Sequence, residues 1–144
     1  MQNNKQPNLK ELKNYKDPIN MKDLKRIFYQ CWSLETCHPM FSEEWNLYNP
    51  AIGQNDVTAL SVRVIFGGEL MICEKNDAMR YFWNLLPSGQ KIDLTNWPHK
   101  LKKNQEQNSK SVSVNEIIPV GLEKDVYFVY RRYVTLYLKV LKLI

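Results

Sequence analysis

Cysteine is scarce in this chain of 144 residues, and long apolar runs are missing altogether. The three cysteines, Cys31, Cys37 and Cys73, are odd in number and show no C-x-x-C spacing. That argues against a disulfide framework and for a reduced compartment, with a cytoplasmic protein as the expectation. No apolar run approaches the length of a membrane span, and the Met1-Gln2-Asn3-Asn4-Lys5 start lacks the apolar region of a secretion signal. No membrane partner is therefore expected. Internal repeats are absent, and nothing in the sequence calls for a metal or a cofactor, so none is expected.

The charge is as informative by its distribution as by its sum. The net charge is +5. Residues 1–22 hold five lysines against Glu11 and Asp17, and residues 98–110 hold four against Glu106. The rest of the chain is close to neutral. A nucleic-acid binder would show a basic groove interleaved with aromatics, and that is lacking, so these segments read as solubilising and nucleic acid is not the expected partner. A binding mode through the two basic segments would instead show steep salt dependence that disappears on deleting them.

What is present is one domain's worth of periodic sequence. Residues 1–19 are rich in Asn, Lys and Gln and read as a flexible basic tail; 20–144 read as a single α+β domain. Asn20 is a natural N-cap, and Leu24, Ile27, Phe28 and Cys31 fall at i, i+3, i+4 and i+7, one helix face that Trp32 extends. Residues 33–49 carry Pro39, Trp45 and Tyr48 without a period, which suggests a packed-down loop. Within it, the neighbours Cys37 and His38 read as a half-buried thiol and a surface imidazole, because adjacency in sequence does not supply nucleophile–base geometry.

The organising stretch is Pro50 to Leu60, running on to Phe66-Gly67-Gly68. Asn55 or Gln54 can cap a helix there, with Asp56 where the dipole favours negative charge. Val57, Ala59, Leu60, Val62, Val64 and Ile65 leave little polar face, so that helix should be central and buried. Three β-type runs follow: 69–74, 79–86 and 91–95, the last two joined by Pro87-Ser88-Gly89 as a hairpin. Residues 98–113 are polar and read as a mobile excursion; 115–122 are short and apolar, limited by Pro119 to an edge or loop. A closing helix is predicted to bury Val126, Val129, Tyr130, Tyr133, Val134, Tyr137, Leu138 and Leu141. The expected fold is α+β: N-terminal helix, central buried helix, small antiparallel three-stranded sheet, C-terminal helix.

Several of these residues form an ordered set of motifs. They are Trp32-Ser33-Leu34-Glu35-Thr36, Asn49-Pro50-Ala51-Ile52-Gly53-Gln54-Asn55-Asp56-Val57-Thr58-Ala59-Leu60, Phe66-Gly67-Gly68-Glu69-Leu70, Tyr81-Phe82-Trp83-Asn84 and Ile92-Asp93-Leu94-Thr95. In that order they resemble the YunG-like family of small bacterial proteins, over roughly residues 24–96 and plausibly through Tyr133. The resemblance implies a compact α+β domain with a papain- or transglutaminase-type Gln-Cys…His…Asp layout. Carried over, the nucleophile place holds Asn55, the base place Tyr81 and the orienting place Asp93. Asparagine offers no nucleophile, and a phenol with an ordinary pKa of about 10 is a poor base near neutrality.

The leading expectation is therefore a non-catalytic member that keeps a frame of Gln54, Asn55, Asp56, Tyr81, Trp83, Asn84 and Asp93 and uses it to bind a protein. One partner class is a component of host defence, for a gene carried on a mobile element. The alternative from another class is an enzyme with altered chemistry, in which Asn55, Tyr81 and Asp93 polarise a substrate or water. An engineered loss of the nucleophile is a third reading, against which stands the simultaneous change at Tyr81.

Overall fold

Asn20 opens helix α1 (Met21–Cys31) by accepting from the backbone N–H groups of Lys22 and Asp23. The face predicted from spacing is the one that packs: Leu24, Phe28 and Cys31 are buried, and Trp32 continues it. The computed structural model describes residues 20–74, 80–118 and 125–144. The predicted tail 1–19, Met79 and residues 119–122 of the short apolar run lie outside that description.

Two 3₁₀ turns, Leu34–Thr36 and Pro39–Phe41, carry the chain from α1 to helix α2 (Asn55–Phe66). Trp45 ties the long loop down by donating to the Pro50 carbonyl, while Leu47 and Tyr48 at its tip stay exposed. Helix α2 buries eight of its twelve residues. It is held between α5 (Val129–Leu143) on one side and the sheet on the other. Fully burying an aliphatic side chain such as Leu60 or Ile65 stabilises the fold by about 1.5–3 kcal/mol.

The sheet is antiparallel throughout, in the order β3-β2-β1-β4, with β1 at Glu69–Glu74, β2 at Arg80–Leu85, β3 at Lys91–Ile92 and β4 at Lys110–Val112. Three strands were predicted; the fourth comes from the polar segment 98–113. That segment also forms helix α3 (Lys103–Gln107), and α4 (Val114–Ile117) follows β4. Its polar residues are used rather than merely solvated. Lys110, Ser111 and Val112 pair with the backbone of β1 as an edge strand, and Gln105 is buried.

Register decides which strand residues meet α2. Leu70 pairs with Asn84 and Ile72 with Phe82. Leu70, Ile72, Phe82 and Ile92 join the core with α2, and Asn84 donates to the α2 carbonyl of Ala59 at 2.9 Å. By alternation, Tyr81, Trp83 and Cys73 occupy the opposite face. There the segment 98–113 covers them: Trp83 Nε1 donates to Ser109 Oγ at 2.8 Å, and the His99 ring stacks on Tyr81.

The buried stripe of α5 differs from the prediction. Val129, Arg132, Tyr133, Leu136 and Val140 are buried, whereas Tyr130 and Leu138 are exposed. Arg132, a charge in the middle of this stripe, turns inward to Asp56.

Candidate functional site

The mouth of α2 begins with Gly53. Its φ is +71°, and a Cβ there would lie 2.5 Å from Cys37 Sγ and 3.0 Å from the His38 nitrogen. Glycine alone admits this approach, which brings the His38 N–H to the Gly53 carbonyl at 2.8 Å.

Gln54 follows, fully buried. It is the N-cap by backbone position, yet its side chain does not cap. Its Oε1 accepts from Thr36 Oγ1 at 2.7 Å, and its Nε2 donates to the Ser33 carbonyl at 2.9 Å. Both ends of the amide are thus committed to the 3₁₀ turn, and neither is turned toward a developing oxyanion.

Asn55, expected as a cap, is the first residue of the helix and caps nothing on it. Its Nδ2 donates to the Phe82 carbonyl at 2.9 Å and its Oδ1 accepts from the Phe82 N–H at 2.7 Å. The amide acts as a short strand edge, pairing both main-chain groups of one β2 residue. A longer contact, 3.4 Å, runs from Nδ2 to Thr95 Oγ1.

Asp56 forms a two-armed ion pair with Arg132: Nη1 to Oδ1 at 3.0 Å and Nη2 to Oδ2 at 2.7 Å. The Arg132 side chain is 3% exposed and that of Asp56 14%. Arg132 also donates to the carbonyls of Tyr127 and Thr36. One guanidinium therefore joins α5, α2 and both flanking turns.

Tyr81 points to the other face of the sheet and reaches Asp93, just beyond the end of β3. The Tyr81 hydroxyl is 2.6 Å from Asp93 Oδ2 and 2.7 Å from the His99 carbonyl, and the Tyr81 and His99 rings lie parallel at 5.2 Å. One hydroxyl proton faces two acceptors. The Tyr81 hydroxyl is thus shared between the Asp93 carboxyl and the His99 carbonyl. Burial pushes the Asp93 carboxyl above its usual range, against hydrogen bonds from Tyr81 and from the backbone of Asn96 and Leu101 that pull it down. Burial, and then the Asp93 bond, push the Tyr81 phenol far up. A phenol so placed gives up its proton less readily than a free tyrosine. The His99 ring is likewise committed: its Nδ1 lies 2.7 Å from the Lys100 carbonyl, which only accepts, so Nδ1 carries the proton.

Among the described residues no hydrogen bond joins Asn55 to Tyr81 or to Asp93. A small cavity of about 10 Å³ lies beside Asn55, Thr58, Phe82 and Asp93, with room for at most one water. Trp83 and Asn84 are buried on opposite faces, each with its hydrogen bond made. Of the seven singled-out residues, Asn55, Asn84 and Asp93 line the small cavity, Gln54 and Asp56 are committed at the mouth of α2, and Tyr81 and Trp83 lie on the far face of the sheet, Tyr81 reaching Asp93 through its hydroxyl.

A row of four aromatic rings runs across the α2 mouth, among them His38, which the sequence reading placed at the surface. Trp97 packs edge-on against Phe41 at 4.7 Å, Phe41 lies 5.5 Å from His38, and His38 lies 4.5 Å from Tyr127. The signal for Arg132 was legible as a lone charge inside an apolar stripe, and that for Thr36 as a polar residue in the Trp32–Thr36 motif. No spacing pattern announces the aromatic row.

Cys37 is buried and its thiol is pushed up to about 11 by desolvation, so it is not primed as a nucleophile. Among the described residues no His, Cys, Asp and Glu group is arranged to hold a metal, and no helix is long and apolar enough to cross a membrane.

A family model described as YunG protein matches residues 20–139. No curated protein and no solved structure matches the chain.

Proposed function

The chain belongs to the YunG family, and we propose that it is a non-catalytic member acting as a protein-binding module. The observation that carries this reading is the double hydrogen bond from the Asn55 amide to the backbone of Phe82. It uses both polar atoms of the side chain at the place where a nucleophile would stand. Further support comes from Tyr81, whose hydroxyl is committed to Asp93 and to the His99 carbonyl. A frame whose polar side chains are largely committed to one another and to the backbone has lost reactivity and kept shape. On this reading the protein works in the cytoplasm, where its three buried cysteines stay reduced.

The test has two arms run on the full chain. One is affinity capture from the source cell; the other is a panel of amide, ester and thioester substrates covering hydrolysis and transfer. The expected result is a saturable protein partner and no turnover above the blank. Turnover without a partner would overturn the proposal.

A further inference from the structure

Leu47 and Tyr48, 80% and 95% exposed, are the most exposed large apolar side chains among the described residues. They are neighbours at the tip of the loop that leads into α2, and the turn that carries them is built rather than loose. Asn46 Oδ1 accepts from the Tyr48 N–H at 2.9 Å and from the Asn49 N–H at 3.0 Å, and Asn46 Nδ2 donates to the Glu44 carbonyl at 3.1 Å. The Asn49 N–H also meets the Asn46 carbonyl at 3.2 Å, which closes a β-turn with Leu47 and Tyr48 at its two central positions.

The foot of this turn is fixed to the frame of the candidate site. Trp45 Nε1 donates to the Pro50 carbonyl at 3.0 Å, and Pro50, Ala51 and Ile52 are buried. The chain then passes through Gly53 and Gln54 into α2. Gly, Pro, Asn, Asp and Ser dominate turns, so a leucine and a tyrosine at the centre of one are not there for turn geometry. Side chains this exposed add little to folding, since almost none of their apolar surface leaves water. Held still in water, they are already in the conformation that a pocket would take up, and no loop has to be ordered on binding. Tyrosine is also one of the residues that most often anchors an interface.

The charge beside the tip says what surrounds such a pocket. Glu43 and Glu44 precede the turn, are exposed, and take part in no ion pair among the described residues. The chain has a net charge of +5, yet no lysine or arginine lies between Arg26 and Arg63 in sequence, while Glu35, Glu43, Glu44 and Asp56 do. Arg132, which reaches this region from α5, is buried and paired with Asp56.

We infer that the Asn46–Asn49 turn is the element this protein inserts into a partner protein, and that the partner offers an apolar pocket with a basic rim. Tyr48 is the anchor, Leu47 widens the apolar contact, and Glu43 and Glu44 face the lysines or arginines of the rim. The carboxylates steer the encounter and exclude acidic surfaces, phosphate backbones included. The inference rests on the binding function proposed above and names its surface and its partner's chemistry.

The test is photo-cross-linking in the source cell with the full chain. It uses p-benzoylphenylalanine in place of Tyr48 and, as a control, in place of Leu138, which is 52% exposed on α5. The expected result is a protein cross-linked from position 48 in at least tenfold higher yield than from position 138, through a peptide carrying lysine or arginine beside apolar residues. That protein, once purified, should bind the wild-type chain at least tenfold more tightly than it binds Tyr48→Ser or the double variant Glu43→Lys/Glu44→Lys. These side chains are all exposed, so the variants should keep the wild-type melting temperature. A product from position 138 alone, a cross-link to a second copy of the chain, or equal binding by wild type and variants overturns this surface while leaving the binding function intact. No product from either position also overturns it, and joined with turnover in the substrate panel it is the binding function itself that fails.

Discussion

The side chain of Asn55 hydrogen-bonds to both main-chain groups of Phe82, donating at 2.9 Å and accepting at 2.7 Å. This joins the first residue of the central helix to the middle of β2 with the geometry of a strand pair. Replacement by alanine leaves a buried N–H and a buried carbonyl unpaired. Asn55→Ala is expected to lose about 2 kcal/mol of stability, read by urea denaturation with an unchanged m-value. Asn55→Asp should lose a similar amount at neutral pH, because a carboxylate cannot donate to the carbonyl. It should recover on acidification, as the protonated acid donates again.

Asp56 and Arg132 couple α2 to α5 through a buried two-armed ion pair. Removing one partner strands the other, so Asp56→Ala or Arg132→Met alone should cost about 3–5 kcal/mol. The double variant should cost clearly less than the two single losses together. A double-mutant cycle by chemical denaturation reads this; additive losses would show that the pair is not coupled.

The Tyr81–Asp93 contact predicts a pH dependence of definite sign. Asp93 has its folded pKa raised, so its ionisation opposes folding, and the chain gains stability as pH falls through that value. Tyr81→Phe removes the bond that holds this pKa down. The variant should therefore be less stable than wild type at pH 7, with the deficit shrinking toward pH 4. At the alkaline end the raised phenol works the other way round. Stability from Tyr81 is present below its unfolded value, about 10, and is lost above it; Tyr81→Phe should lack that loss.

His38 has its pKa lowered, chiefly by burial, and its Nδ1 accepts from the Met40 N–H at 3.1 Å. A lowered imidazole pKa gives stability that is present above the unfolded value, about 6.5, and lost as pH falls through it. His38→Asn keeps an acceptor for the Met40 N–H and removes the titration. Its thermal stability should fall less between pH 7 and pH 5 than that of wild type.

Much of this fold was legible from spacing. The period of Leu24, Phe28 and Cys31, the apolar run Val57–Ile65 and the turn at Pro87-Ser88-Gly89 each led to the right element, because burial writes itself into periodicity. The polar segment 98–113 did not, since an edge strand and a capped short helix are stabilised by backbone pairing and by single bonds such as Trp83 to Ser109. Nor did the full α5 stripe, where a buried arginine stands among the apolar residues and pairs with Asp56. The sidedness of the singled-out residues was not legible. Tyr81 and Phe82 are neighbours in sequence and face opposite layers, so a motif that names both says nothing of which one meets Asn55.

The measurement that bears most directly on the account is a turnover comparison between wild type and Asn55→Ala. Both are assayed at equal folded concentration on the same amide, ester and thioester substrates, with Asp93→Ala as a third protein. If Asn55 is a structural clamp, all three should give the same background rate. A wild-type rate above background that falls a hundredfold or more in Asn55→Ala would contradict the account and return this position to catalysis.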